Sequence, residues 1–404
     1  MIRHESLRTI FGDFSGSEGV TTAPSDRVRQ QVLPGAKWST VWVPGDWATA
    51  EELFADPRAN IASRYDPLDP APLKVVLVGT PQAVEAVLVA IPHMCADFVG
   101  FGDLREEFFT ALSARMKGGT PRLKPVWQPR QQAAAEGAKG SRRAVEASAA
   151  YFAKVLREAP RAFVATDRPR SRMRASYATV VSPALAGHVH RLARQCQASV
   201  PAVLSTLVML LLGAHAAERR VMMKSLCARR QRLRGTTFVA PQNLTTVMSL
   251  DLPGDCTVAE LISLGWTASL RGYRHAEHDP RTVPPLEAEL AGPWGEADGF
   301  CLFNYMAMNG EDTILGCPEP PGDGFLILDS KECTIPKNMR FIFECYLSGN
   351  EQTIEIALSA DEALIHSSAA RFAVRLAAVA EHAAADVSAP VSACLAAAGM
   401  SMAQ

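Results

Sequence analysis

Apolar positions along the chain change between the spacing of strands and the spacing of helices. Residues 73–79 and 83–91 are apolar runs joined by a short Gly-Thr-Pro-Gln turn, which predicts a hairpin. Residues 101–112 then carry apolar side chains at helical spacing. The pattern around residues 83–112 therefore predicts a strand, a short loop and a helix.

The second half of the chain repeats this alternation of strands and helices. Predicted strands lie at 174–181, 221–226, 300–305, 325–328, 339–347 and 353–358, with two more within 236–252. Predicted helices lie at 184–195, 200–217, 257–273 and 359–384, and a short one lies earlier, at 48–54. The residues after 386 are rich in Ala and Ser and predict a loose tail. Sheets flanked by helices in both halves indicate a mixed α/β protein.

Helix starts and one apolar segment sharpen this interpretation. Ser182 followed by Pro183 is typical of a helix start, and Thr257 with Glu260 has the spacing of a capping box. Residues 200–217 are close to the minimum length of a membrane span. Because they include Pro201 and His215, we interpret them as a buried core helix and expect no membrane association.

Composition excludes several classes of function. The 404 residues are 48% hydrophobic and 21% charged, with a net charge of -1, which favours neither nucleic-acid binding nor attraction to a membrane surface. The nine Cys residues form no C-x-x-C pair, and the His residues are dispersed, so we predict reduced thiols, a cytoplasmic location and no metal site. The charged N-terminus lacks the apolar core of a signal peptide.

The loop between the strand at 83–91 and the next helix carries the candidate chemistry. His93 stands where the strand ends, and Asp97 stands where the helix begins. Histidine suits proton transfer near neutral pH, and a carboxylate four residues on can fix the loop. The alternative is an ordinary loop histidine. His-x-x-x-Asp alone is a weak signal, since His275 and Asp279 match it in a polar stretch where we interpret the match as chance.

Several motifs in order give the chain a resemblance to a known family. Residues 3–11 match R-H-E-x-L-R-T-x-F at every fixed position, and residues 92–97 are similar to H-H-x-x-x-D-G. Weaker similarities lie at 126–128, 151–156, 227–230, 238–243 and 303–305. Together they resemble the condensation domain of nonribosomal peptide synthetases, within the chloramphenicol-acetyltransferase-like acyltransferases. The resemblance covers nearly the whole chain and is loose after about residue 243.

The resemblance implies two chloramphenicol-acetyltransferase-like lobes in a V shape, with a tunnel between them. Each lobe is expected to be a mixed sheet flanked by helices, with the N-terminal lobe at 1–165 and the C-terminal lobe at 166–404. The donor acyl group would arrive on the phosphopantetheine arm of an acyl or peptidyl carrier protein, and a small amine or alcohol would be the acceptor. No permanently bound cofactor is expected.

The resemblance also implies roles for individual residues. His93 would be the catalytic base or would orient the acceptor. Asp97 would be structural and would pair with Arg3 or Arg8, because a buried carboxylate needs a cationic partner. Asn304 and Asn243 are candidates for contact with a substrate in the tunnel, and the alternative for both is strand packing. Arg229 and Arg230 are candidates for contact with the carrier protein, and the alternative for both is a solvated loop.

Three departures from the family pattern bear on the reaction. Pro92 replaces the first motif histidine, and Phe98 replaces the motif glycine, where it would either narrow the tunnel or block it. The chain also begins inside the R-H-E-x-L-R-T-x-F motif, which leaves out the family's first helix and strand and suggests residues upstream of Met1.

The sequence leaves two main hypotheses and one minor one. The preferred hypothesis is a free-standing acyltransferase of specialised metabolism that forms an amide or ester. The alternative is a degenerate condensation-like domain that docks other proteins on an assembly line, which Pro92 and Phe98 favour. Epimerisation rests only on the Phe-Asn-Tyr strand at 303–305.

Overall fold

The computed structural model describes most of the chain as two compact units. The described residues are 3–12, 29–35, 38–43, 73–80, 82–137, 139–164, 173–230, 233, 235–291, 299–307, 324–336, 339–348 and 352–401. The first unit contains residues 1–141 together with 228–243, and the second contains 142–227 and 244–404. The expected division at residue 165 differs from this one in two ways. The second unit begins earlier, and the segment 228–243 returns to the first.

The first unit holds two small sheets and the helix that follows the candidate loop. Its strands are β1 (Thr9–Gly12), β2 (Arg29–Val32), β3 (Trp38–Val43), β4 (Leu73–Thr80) and β5 (Ala83–Ala90), and its helices are α1 (Phe98–Met116) and α2 (Pro129–Glu136). Antiparallel β1 and β2 form one sheet, and β3, β4 and β5 form the other in that order. The predicted hairpin is confirmed by the antiparallel register of β4 and β5. The predicted helix at 48–54 lies outside the described residues.

The second unit is built on a seven-stranded mixed sheet. Its elements are α3 (Lys139–Glu158), β6 (Ala175–Ser182), α4 (Pro183–Gln195), α5 (Val200–Ala216), β7 (Arg220–Cys227), β8 (Leu244–Asp251), α6 (Val258–Arg274), α7 (Val283–Ala291), β9 (Phe300–Ala307), β10 (Leu326–Cys333), β11 (Met339–Ser348), β12 (Thr353–Asp361), α8 (Glu362–Ile365), α9 (Ala369–Ala385) and α10 (Val391–Ala397). The strand order is β10-β6-β12-β11-β9-β7-β8, in which β9 runs parallel to both β7 and β11. This is the mixed sheet with flanking helices that the pattern predicts.

Helix starts and core helices in this unit follow the sequence signals. The Ser182 hydroxyl accepts from the Leu185 N–H, and Thr257 and Glu260 form the predicted capping box. The helix α5 is buried along nearly its whole length, which confirms that it is a core helix. Among the described residues, Glu362–Ala385 is long and apolar enough to cross a membrane, and α4 with α5 passes the same test only as a pair bent by 106°.

Two segments differ from their predictions for identifiable reasons. Only β8 forms within 236–252, because the backbone groups of residues 238–242 bond to side chains of the first unit in place of a second strand. The predicted loose tail instead forms α10. Its apolar residues Val391, Cys394 and Leu395 lie one helical turn apart and are buried.

A buried histidine in the core helix predicts a pH dependence of stability. His215 is 7% exposed, and its Nε2 lies 3.3 Å from Nη1 of Arg375. Burial, reinforced by Arg375 and His366, lowers the pKa of His215 to about 4. In the unfolded chain this histidine titrates near its ordinary value of 6.5. The unfolded state therefore binds more protons between these two values, and stability falls as pH falls through that window.

We expect His215 to account for a loss of up to about 3 kcal/mol between pH 7 and pH 4. The variant His215→Gln should show a correspondingly smaller loss, because glutamine does not titrate. Urea denaturation of both proteins at several pH values measures this difference. Equal pH slopes for the two proteins would contradict it.

Candidate active site

A tight turn at the end of β5 presents His93. The Cys95 N–H donates to the Pro92 carbonyl at 2.8 Å, which closes a turn with His93 and Met94 at its two central positions. Cys95 is fully buried and anchors the turn, whereas the side chains of His93 and Met94 are exposed. The structure thus places His93 at the end of a strand with its ring accessible.

Asp97 ends the loop as the N-cap of α1. Its Oδ1 accepts from the Gly100 N–H at 2.8 Å, which satisfies one free donor of the first helical turn. Gly100 lies close to this network, since a Cβ there would lie 3.2 Å from Asp97 Oδ1 and 3.3 Å from Arg230 Nη2. The carboxylate is therefore structural, as the resemblance implies, and it fixes where the helix begins.

The cationic partner of Asp97 is Arg230. Arg230 Nη2 lies 2.5 Å from Asp97 Oδ1, and the two side chains are 13% and 6% exposed. The same guanidinium donates to the carbonyls of Phe238 and Ala240 at 2.6 and 3.0 Å. The Gln242 N–H donates to the second carboxylate oxygen at 2.9 Å. Three donors thus satisfy the buried carboxylate, and all of them belong to the first unit.

The predicted pairing of Asp97 with Arg3 or Arg8 is wrong. Arg3 Nε donates to Glu107 Oε1 at 3.1 Å, and its Nη2 donates to the carbonyl of Lys124. Arg8 donates to the carbonyl of Leu33. Arg3 thus holds the third turn of α1, and Arg8 holds the chain just after β2. Both bind groups other than the Asp97 carboxylate.

The rest of the R-H-E motif also braces helices. His4 Nε2 lies 2.8 Å from Glu107 Oε2, and Glu5 Oε1 accepts from Arg130 Nε at 2.8 Å. Burial lowers the pKa of His4, although its carboxylate partner opposes that shift. Burial alone would raise the pKa of Glu107, but the bonds from His4 and Arg3 outweigh it and hold that pKa below the usual range. The motif is therefore built into the scaffold of α1 and α2.

The arginines predicted to contact a carrier protein have partners within the chain. Arg230 holds Asp97, and Arg229 Nη1 lies 3.5 Å from Glu136 Oε1. The Glu136 carboxylate also accepts from Gln242 Nε2 at 3.3 Å. Both arginines thus have a carboxylate partner within the chain, and their contact with a carrier protein stays a prediction.

The remaining candidates stand at different places in the two units. Pro92 begins the turn, Phe98 is the first residue of α1 and is 37% exposed, and Asn243 follows Gln242 beside the Asp97 network. Asn304 lies on β9 in the second unit, where its Nδ2 is 3.4 Å from Glu344 Oε1 on the neighbouring strand. That contact is a cross-strand pair, as strand packing would give. Tunnel contact for these residues stays a prediction.

Asp103 is a titratable group that the sequence interpretation missed. It lies on α1, where its Oδ2 accepts from the Phe238 N–H at 3.2 Å and is 3.9 Å from Arg230 Nη1. Burial raises the pKa of Asp103, against the lowering effects of the Phe238 N–H and Arg230. No sequence signal identifies it, because six residues along a helix place two side chains about 120° apart around its axis and not on one face.

The geometry provides an exposed imidazole on a rigidly held turn. A strand precedes it, a buried Cys95 anchors it, and a helix capped by a paired carboxylate follows it. Such support is what a proton-transfer group needs to keep one orientation. No cluster of His, Cys, Asp and Glu residues within the described part of the chain could hold a metal ion.

Comparison with known proteins gives matches in structure only. No protein-family model matches the chain, and no curated protein matches it in sequence. SgcC5 from Streptomyces globisporus is 20% identical, with a TM-score of 0.66 over 96% of this chain and 88% of that chain. The X-domain from teicoplanin biosynthesis is 20% identical, with a TM-score of 0.67 over 97% and 86%. The condensation domain of the monacolin K polyketide synthase MokA is 14% identical, with a TM-score of 0.70 over 96% and 88%.

These likenesses confirm the fold class. The chain has the fold of the condensation domains, as its motifs predict. One of the similar domains, the X-domain, also has a structure in complex with OxyB. The fold therefore occurs both in domains named for condensation and in a domain that binds another protein.

Proposed function

We propose that the protein is an acyltransferase of the condensation type. It transfers an acyl group from a carrier-bound thioester to an amine or hydroxyl acceptor in specialised metabolism. The observation that supports this most is the exposed His93 on a turn held by the buried Asp97–Arg230 pair. We further infer that the reaction takes place in the cytoplasm.

In this reaction His93 removes or holds the proton of the attacking amine or alcohol. The acceptor nitrogen or oxygen forms a bond to the thioester carbonyl carbon, and the carbon–sulfur bond breaks to release the pantetheine thiol. A histidine can take the acceptor proton as a general base and return it to the leaving sulfur as a general acid. Holding both substrates beside the same turn would supply much of the remaining acceleration.

The substrates supply the reactive groups, so no resident cofactor is required. The phosphopantetheine arm belongs to the carrier protein. An alcohol acceptor is chemically compatible with this fold, since SgcC5 has been solved with an aryl ethanediol. Amide and ester formation both remain within the proposal, because His93 can serve either acceptor.

A second candidate function is docking without catalysis. Pro92 and Phe98 stand at positions where the family motif has histidine and glycine, and the similar X-domain binds OxyB. A domain of this kind would retain the Asp97–Arg230 scaffold, because that pair serves the fold. It would not need His93.

A single-turnover transfer assay distinguishes the two functions. The protein is mixed with carrier proteins loaded with a panel of acyl thioesters and with pooled amines and alcohols, and products are identified by mass spectrometry. Acyl transfer from carrier to acceptor supports the enzyme, and the acceptor identifies the bond. If no acyl group moves while a loaded carrier or a tailoring enzyme is retained in a pull-down, the docking function replaces it.

Phe98 gives a prediction within this assay. The side chain is exposed at the first position of α1, beside the loop that carries His93. We expect Phe98→Gly to raise the transfer rate for bulky acceptors several-fold, because it removes a ring near the reacting groups, while small acceptors change little. The stability cost should stay below about 1 kcal/mol, because glycine is less favourable in a helix.

Rates for a small and a bulky amine with each protein measure this effect. Phe98→Ala serves as the control, since it also removes the ring but keeps a good helix former. If the bulky amine reacts at the same rate with the parent and with both variants, the Phe98 ring does not limit access of the acceptor.

A further inference from the structure

The first unit contains an apolar cavity between its three-stranded sheet and the helix α1. The cavity has a volume of about 540 Å³. Val75, Val87 and Val89 line it from β4 and β5, and Leu104 and Phe108 line it from α1. Clefts of roughly 300–1,000 Å³ lined mainly by apolar side chains are typical of small-molecule sites.

The helix wall of this cavity has more apolar surface than the fold covers. Phe101, Phe108 and Leu112 are between 41% and 45% exposed, and Phe109 is 57% exposed. Phe101, Leu104 and Phe108 recur at helical spacing, so they share one face of α1. A contiguous exposed apolar face of this kind marks a binding site more often than a solvated surface.

The charged residues of the lining leave the interior of the cavity suited to a neutral group. Arg3 and His4 both bond to Glu107, so these polar side chains are satisfied by one another. Arg105 also lines the cavity, and it is an exposed residue. The rest of the lining is aliphatic or aromatic. A ligand would therefore gain binding free energy chiefly by burying apolar surface, at about 25 cal/mol per Å².

Size and position favour a substrate chain over a partner helix. A helix about 10 Å across takes up roughly 400 Å³ per turn, so the cavity would hold little more than one turn. Ile91, which also lines the cavity, lies two residues before His93 in the chain. An extended chain bound here would end close to the turn that carries the imidazole.

We propose that this cavity binds the apolar acyl chain of the donor thioester. The inference rests on the proposed acyl transfer and specifies its donor as a long-chain or similarly apolar acyl group. A short acyl group would leave the cavity partly unfilled, and a charged acyl group would lose its hydration on entering it. Both kinds of acyl group would be poor donors.

Binding of a fluorescent fatty acid tests the cavity without requiring transfer. The full chain is titrated with cis-parinaric acid, which is then displaced by octanoyl-pantetheine or acetyl-pantetheine. Each buried methylene should improve affinity by about fourfold. We therefore expect octanoyl-pantetheine to compete at least about 100-fold better than acetyl-pantetheine. Equal competition by the two thioesters would overturn the proposal.

A matched pair of variants assigns the binding to this cavity. Val89→Trp places an indole inside the cavity, whereas Val84→Trp makes the same change on the same strand at an exposed position outside the lining. We expect Val89→Trp to weaken parinaric acid binding at least tenfold and Val84→Trp to change it less than twofold. Thermal melts check folding, and Ala111→Leu gives a smaller filling change from the opposite wall. Equal losses in both Trp variants would overturn the proposal.

Oligomeric state and acyl transfer test the acyl-chain proposal further. If probe binding disappears as protein concentration rises and copies associate in sedimentation, the apolar face is an interface and the proposal fails. If octanoyl-pantetheine binds more tightly than acetyl-pantetheine but no acyl group is transferred from any thioester, the proposed function fails and the binding of apolar chains in the cavity is retained. If transfer occurs with equal rates for acetyl and octanoyl donors, only the acyl-chain inference fails.

Discussion

Replacing His93 with alanine is expected to lower the single-turnover rate of acyl transfer by about 10²–10⁴-fold. In the proposed reaction, proton transfer falls to the exposed imidazole on the turn that Pro92 and Cys95 close. Without it, the acceptor must lose its proton to water during attack on the thioester. Binding of the loaded carrier should change little, because the substitution leaves the turn and α1 intact.

The neighbouring residue supplies the control for this variant. Met94→Ala truncates another exposed side chain at the other central position of the same turn, and it should keep transfer within about threefold of the parent. The free energy of unfolding of both variants should lie within about 0.5 kcal/mol of that of the parent, because exposed side chains contribute little to stability. If His93→Ala transfers the acyl group at the rate of the parent, His93 has no chemical role in the reaction.

Local pattern predicts the elements around this site because short-range physics determines them. Alternating and helical apolar spacing locate β4, β5 and α1, and Asp97 stands at the cap position that the spacing indicates. The turn is also local, since its hydrogen bond joins residues three apart. Each of these features depends on neighbours along the chain, which the sequence displays directly.

The partner of Asp97 could not be predicted in this way. Arg230 is 133 residues away and reaches the carboxylate because the segment between β7 and β8 leaves its sheet and returns to the first unit. Arg3 and Arg8 are also basic and belong to a matching motif, so the sequence offered no physical reason to prefer Arg230. The same crossing explains why residues 236–243 form no strand, since their backbone groups bond to side chains there.

Arg230→Met is expected to lower the free energy of unfolding by about 3–5 kcal/mol. The change leaves the buried Asp97 carboxylate with two backbone N–H donors and no counter-charge. It also removes the donor to the carbonyls of Phe238 and Ala240. Transfer should fall as well, because the loop that presents His93 loses its fixed end. Denaturant unfolding followed by circular dichroism measures the first effect, and the transfer assay measures the second.

The adjacent arginine tests whether this cost comes from the buried pair. Arg229→Met removes a neighbouring cation whose partner, Glu136, is far more exposed, and it should cost less than about 1 kcal/mol. The double variant Asp97→Leu with Arg230→Met should recover part of the loss, because no unpaired buried charge remains. A loss in Arg230→Met that is no larger than in Arg229→Met would show that the pair does not hold the loop. Recovery of stability without recovery of transfer in the double variant would instead show that the carboxylate positions the helix start on which the orientation of His93 depends.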